Sequence, residues 1–158
     1  MKGMSIIVKT ISSWLKILIF IFGIYIILFG HLTPGGGFAG GVILASSYVL
    51  LMLAFGRESV EENLSLRLTS KLDCVGAILF IAIALFGFLF GAANFFYNFI
   101  YQKWQVADDS AFKLVSAGTI PLSNIAIGIK VGASLFLIVL ILSIFRVDSS
   151  ANEKEQKK

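Results

Sequence analysis

Four long apolar runs set the organisation of this chain. They extend from about Ile11 to Phe29, Phe38 to Phe55, Leu72 to Ala93 and Pro121 to Phe145. A helix needs about 20 apolar residues to cross the hydrocarbon core of a bilayer, and each run reaches roughly that length. The pattern predicts an all-α integral membrane bundle of four transmembrane helices. The connections differ in kind. Residues 31–37 between the first two runs leave room only for a tight turn. Arg57 to Lys71 is a charged stretch holding Glu58, Glu61, Glu62 and Arg67. Asn94 to Ile120 opens with Phe95, Phe96, Tyr97, Phe99, Tyr101 and Trp104. Such rings prefer the headgroup level, which predicts an interfacial segment there, with a short helix in the membrane plane. The chain reads as one transmembrane domain over residues 1–147 and a polar, flexible tail over residues 148–158.

Composition agrees with a membrane solvent. Apolar residues make up 58% of the 158 positions, whereas soluble domains run at about 45–50%. The formal net charge is +4. Its basic residues are scattered at the flanks of the runs, which fits membrane topology and not nucleic-acid binding. Counting Lys16 and Lys71 as flanking residues, ten of the thirteen Lys and Arg residues fall on one side and only Lys103 and Lys113 on the other. The positive-inside rule then places both termini and the Arg57–Lys71 loop in the cytoplasm, in the cell membrane of a prokaryote. Lys2, Lys9 and Lys16 ahead of the apolar residues from Ile17 to Phe29 imitate a secretory leader. The run ends in Gly30-His31-Leu32-Thr33-Pro34 with no small-x-small pattern, so it reads as a retained helix. One cysteine, Cys74, allows no internal disulfide and no multi-cysteine metal site.

Candidate chemistry is sparse. Pro34-Gly35-Gly36-Gly37-Phe38-Ala39-Gly40-Gly41 has five glycines in seven positions, a cost to any helix. Two readings stand. The glycines let helices touch, since Gly37, Gly41 and Ala45 recur at intervals of four. Alternatively they break the helix and expose backbone to an ion pathway. Gly87 with Gly91, and Gly128 with Gly132, repeat the spacing of four. Lys130 lies well inside the fourth run, where a charge is expensive. Helical geometry puts Ala126, Ile127, Ala133 and Ser134 on its face, with Ser123 two turns away and the two glycines on another face. It reads either as a charge-relay residue at a subunit interface or as a snorkelling or structurally paired lysine. Asp73, at the start of the third run, suits a helix N-terminus, and His31 suits the outer boundary after the first. No cluster of His, Cys or carboxylates suggests a metal. No phosphate-binding loop, Ser/His/Asp set or iron–sulfur cysteine pattern is present in the sequence. The chain is expected to bind no cofactor and to catalyse nothing alone.

Gly30-His31-Leu32-Thr33-Pro34-Gly35-Gly36-Gly37-Phe38-Ala39-Gly40-Gly41 closely resembles the Pro-Gly-Gly-Gly-Phe-x-Gly-Gly hallmark of the MrpB, or MnhB, family of the Mrp multisubunit Na⁺/H⁺ antiporter. The length and four-helix plan fit that family too. The resemblance implies an accessory membrane subunit of an ion-translocating complex, with Na⁺ or H⁺ as transported ions and other Mrp-type membrane subunits as partners. The family also occurs in the membrane arms of ferredoxin-linked hydrogenases and sulfur-reducing complexes, beside hydrogenase and iron–sulfur subunits. Residues 118–133 look more like those relatives than like the bacterial antiporter members. Membership of a free-standing antiporter, and a structural linker with no part in the ion path, are the rival readings. Lys130, His31 and Asp73 are the candidates for an ion path.

Overall fold

The computed structural model describes residues 4–61, 64–90, 94–100 and 117–155, with backbone only for residue 58 and residues 146–155. Five helices lie wholly within the described residues: α1 (Ile6–Leu28), α2 (Gly36–Phe55), α3 (Arg57–Glu61), α4 (Leu66–Phe90) and α5 (Ile120–Glu155). Four are long and apolar enough to cross a membrane: Ile6–Leu28, Gly36–Phe55, Leu66–Phe90 and the Ile120–Phe145 part of α5. Even the 20-residue α2 spans about 30 Å, the thickness of the hydrocarbon core. Among the described residues no strand occurs.

The spans stand in the order α1, α2, α5, α4. α2 packs on both α1 and α5, and α4 packs mainly against α5. Lipid offers no hydrophobic drive between helices, so tight van der Waals contact must hold them together. Glycine supplies that contact at every main interface. A methyl group on Gly40 would lie 2.9 Å from the Gly23 carbonyl oxygen and 2.5 Å from the Ile27 side chain, which joins α2 to α1. One on Gly37 would collide with the Asn124 carbonyl oxygen, and one on Gly41 would lie 2.9 Å from that of Gly128, which joins α2 to α5. Gly76 of α4 lies against the backbone of Lys130 on α5. Away from the glycines, Ala45, Met52, Val60, Phe136 and Leu140 form a buried cluster. Tyr48 extends it, with ring centroids 5.8 Å from Phe136 and 6.0 Å from Phe20.

The first hairpin shows how α2 begins. The Thr33 hydroxyl and amide both donate to the Phe29 carbonyl at the end of α1. Pro34 cannot extend that helix, because it has no N–H to give. Gly35 and Gly36 then take φ of +131° and +64°, a region that L side chains rarely adopt. The reversal is thereby complete within the turn, and α2 is helical from Gly36 onward. From Gly37 to Gly41 the backbone is helical and in close contact with α1 and α5, while the positive φ angles are confined to Gly35 and Gly36.

Several boundaries differ from the hydropathy pattern. α1 starts at Ile6, five residues early, so Lys16 lies inside the helix and not at its flank. The stretch Arg57–Lys71 is not an extended polar loop. Arg57–Glu61 is helical, with an Arg57–Glu61 ion pair of 3.0 Å, and α4 already begins at Leu66. Thr69, fully buried, donates its hydroxyl to the Ser65 carbonyl in that first turn. Helical hydrogen bonding thus continues past the charges that end the apolar run. α5 likewise runs beyond Phe145 to Glu155, so the backbone of residues 148–155 is helical.

The interfacial segment expected between the third and fourth spans lies mostly in residues 101–116, outside the described residues, as does Gly91. Its two ends are described and they meet. Asn98 accepts from the Thr119 amide at 3.1 Å and donates to the Ala117 carbonyl at 3.0 Å. Phe96 and Phe99 lie against Phe80 and Phe90 of α4, at 5.2 and 5.8 Å between ring centroids. Gly87 admits the backbone of Phe96 and Tyr97, not another helix.

Glycine contacts give a graded prediction. Gly37→Ala and Gly41→Ala would drive a methyl into backbone and are expected to destabilise the bundle by about 1–3 kcal/mol each. Gly132→Ala meets only ordinary contacts, the nearest at 3.4 Å, and is expected to be close to neutral. Thermal unfolding of the variants in detergent micelles checks the order.

Candidate functional site

Lys130 is fixed by its helix. It lies ten residues beyond Ile120 and fifteen before Phe145 on the α5 span, about 15 Å and 22 Å from the two ends. Across the interface, Asp73 lies seven residues beyond Leu66 on α4, about 10 Å inside that helix. The reading of Asp73 as an N-terminal charge is corrected here. A helix dipole acts within the first turn, and no acidic residue occupies the first turn of α4.

What holds Asp73 is α5. The Lys130 ammonium donates to Asp73 Oδ1 at 2.9 Å, and the Ser134 hydroxyl donates to the same oxygen. Lys130 and Ser134 are four residues apart and so share one face of α5. Ala126 and Ala133 of the neighbouring positions are buried, leaving the lysine between small side chains as its helical face predicts. Gly128 and Gly132 turn instead toward Ile27 and Gly41. α5 therefore has two working faces, a glycine face on α1 and α2 and a polar face on α4. Gly76 makes the polar face possible. Its Cβ position lies 2.7 to 2.9 Å from the N, Cβ and Cα of Lys130, so α4 comes close enough for the short Asp73 side chain to reach the ammonium.

The pair lies at the edge of the bundle. The Lys130 side chain is 46% exposed and that of Asp73 27%. A second cation sits deep as well. Lys16, ten residues into α1, places its ammonium 4.7 Å from the centroid of the Tyr48 ring, a cation–π contact that shelters charge without a counter-ion. His31 lies apart, half-buried in the turn between α1 and α2. That turn meets α5 at Asn124, whose side-chain oxygen accepts from the Gly37 amide at 3.3 Å. Lys130 is six residues further along, about 9 Å. Among the described residues no three His, Cys, Asp or Glu side chains gather into a possible metal site.

Sequence reasoning singled out Lys130 and Asp73 separately and missed that they meet. Opposite charges in adjacent spans were the available signal, hidden because hydropathy started the third helix near Leu72. Ser134 was placed on the right face without a role. Asn124, Gly76 and the depth of Lys16 carry no local signature.

Fold and site define a polytopic membrane protein with a paired charge inside its spans. Residues 7–137 match the family described as a domain related to the MnhB subunit of Na⁺/H⁺ antiporter. The chain belongs to the MnhB family. It is 32% identical over 143 residues to a candidate antiporter subunit, mnhB2, of Staphylococcus haemolyticus, covering 90% of this chain and 97% of the relative. It is 31% identical over 152 residues to an uncharacterised protein of Methanocaldococcus jannaschii, covering 96% of this chain and 57% of that one. Among solved structures it is similar to a chain of the membrane-bound sulfane sulfur reductase, an archaeal respiratory membrane complex, with a TM-score of 0.69 and 31% identity over 87% of this chain and 57% of that one. The chain thus spans little more than half the length of these two archaeal relatives.

Removing one member of the pair leaves an uncompensated charge inside the span. Lys130→Ala and Asp73→Ala are each expected to destabilise the chain by on the order of 2 kcal/mol. The double variant is expected to regain most of the loss. A double-mutant cycle on the purified chain in micelles reads the coupling directly.

Proposed function

We propose that this chain is an accessory subunit of an ion-translocating membrane complex, and that the complex is the membrane arm of a ferredoxin-linked hydrogenase or related sulfur-reducing respiratory enzyme. The observation that carries the reading is the Asp73–Lys130–Ser134 cluster inside the spans. Lipid penalises charge at that depth, and intramembrane charges mark ion or proton pathways by default. Membership of the MnhB family and likeness to a chain of an archaeal respiratory complex support it.

In this reading the chain catalyses no reaction and binds no cofactor. Na⁺ or H⁺ moves through the assembly, with other Mrp-type membrane subunits as neighbours and hydrogenase-like and iron–sulfur subunits supplying the drive. Lys130 and Asp73 tune or relay charge beside the path, and His31 stands near its outer mouth. The α1 start and the α5 end face the cytoplasm, since Lys9, Arg57, Arg67 and Lys71 gather at that end of the bundle. A second reading, the MnhB-type component of a free-standing Mrp antiporter, is favoured by the nearly end-to-end match to the staphylococcal relative.

Mild-detergent extraction from the native membrane with a tag on this chain, followed by mass spectrometry, tests both. Antiporter-type subunits together with hydrogenase-like and iron–sulfur subunits are expected. Antiporter-type subunits alone would favour the second reading. Recovery of the chain without any membrane partner would overturn both.

A further inference from the structure

We propose that the α1–α2 seam, over the half nearest the start of α1, is a water-filled electropositive recess that ends at Lys16, admits small anions and repels cations such as Na⁺. The proposal stands whichever complex holds the chain.

At about 100° per residue, Lys9, Ser12, Ser13 and Lys16 fall on one face of α1, and Phe20, Gly23 and Ile27 continue it. This face meets α2, and its two halves differ. The far half is close and apolar, with Gly23 and Ile27 against Gly40. The near half is polar. Lys9 places its ammonium 5.6 Å from the centroid of the Phe55 ring, and Lys16 places its own 4.7 Å from that of Tyr48. The Met4 amide donates to the Ala54 carbonyl, so α1 begins where α2 ends. Ser12 is buried, while Lys9, Ser13 and Lys16 are partly exposed. The polar half of the seam is therefore lined on one side and open on the other.

The two lysines are seven residues apart, about 10 Å along the axis. Like charges at that separation repel strongly in hydrocarbon and weakly in water. A lysine in a span can escape by stretching to the helix end. Lys16 does not take that route. Its ammonium stays on Tyr48, seven residues before α2 ends at Phe55, about 10 Å deep. An aromatic face attracts a cation but screens it from a second cation far less than water does. The Ser12 and Ser13 hydroxyls lie between the two lysines, where they line the approach to Lys16 with polar groups. Water entering from the Lys9 end thus suits every polar group on the face. The recess has a floor, since the Phe20 and Tyr48 rings meet at 6.0 Å between centroids and the glycine contact closes the seam beyond. Two ammonium groups on its wall make its potential positive, which draws anions and repels Na⁺.

Thiol chemistry in membrane vesicles tests both parts. The chain has one cysteine, Cys74, and Cys74→Ala supplies the background. On it, Ser13→Cys is expected to react with membrane-impermeant methanethiosulfonates, and only from the side that modifies Met4→Cys. Leu18→Cys, on the opposite, exposed face of α1, is expected to react at least tenfold more slowly. At Ser13→Cys the anionic sulfonatoethyl reagent is expected to outpace the cationic trimethylammonioethyl reagent at least fivefold, after division by their rates with 2-mercaptoethanol. Adding Lys16→Gln is expected to lower that preference at least twofold. Lys16→Cys reports the floor independently of Ser13 and is expected to react from the same side. Inertness of both seam cysteines, or a Ser13→Cys rate no faster than that of Leu18→Cys, would overturn the recess. Equal rates with the two reagents would overturn its selectivity against cations.

Discussion

Gly37 and Gly41 of α2 lie so near the carbonyl oxygens of Asn124 and Gly128 that a single methyl on either glycine would collide with α5. Gly40, between them in sequence, does the same toward α1 at Gly23 and Ile27. In water a small bundle could rely on burying apolar side chains. In lipid that drive vanishes, and contact distance decides whether helices associate. The glycine-rich start of α2 is therefore the hub of the molecule. It gathers α1 and α5, and the position of α5 in turn sets where α4 can lie.

The polar cluster follows from the same constraint. α5 uses one face for the glycines of α2 and another for Gly76 of α4. On that second face the backbones approach so closely that an aspartate on α4 reaches a lysine on α5. A longer separation would leave two isolated charges in hydrocarbon, each far more costly than the pair. Ser134, one turn from Lys130, adds a neutral donor to the same carboxylate oxygen. Packing and electrostatics are thus one design, in which a glycine permits the pairing of two charges 57 residues apart.

The chain belongs to the MnhB family and is similar to a chain of an archaeal respiratory membrane complex. Trp14, Leu18 and Ile21 of α1 and Ile78 and Ile81 of α4 are exposed, which suits either lipid or neighbouring helices. The charged pair is different. Its exposed cation has no counterpart in lipid, so its surroundings must be built by protein or water.

Sequence alone determined the class of the protein. Apolar runs of spanning length can hardly be anything but membrane helices, because length and composition are local properties. The glycine motif and its position between the first two spans were equally legible, and so was the unusual status of Lys130. Helix ends were less so, since hydropathy falls at Lys71 and Asp73 while backbone hydrogen bonding continues back to Leu66. Only the tertiary structure decided that Asp73 is the partner of Lys130, that Gly76 lets them meet, and that Lys16 is sheltered by Tyr48. Each of these depends on which faces of distant helices come together, and that is set by shape complementarity across the whole bundle, which no single segment encodes.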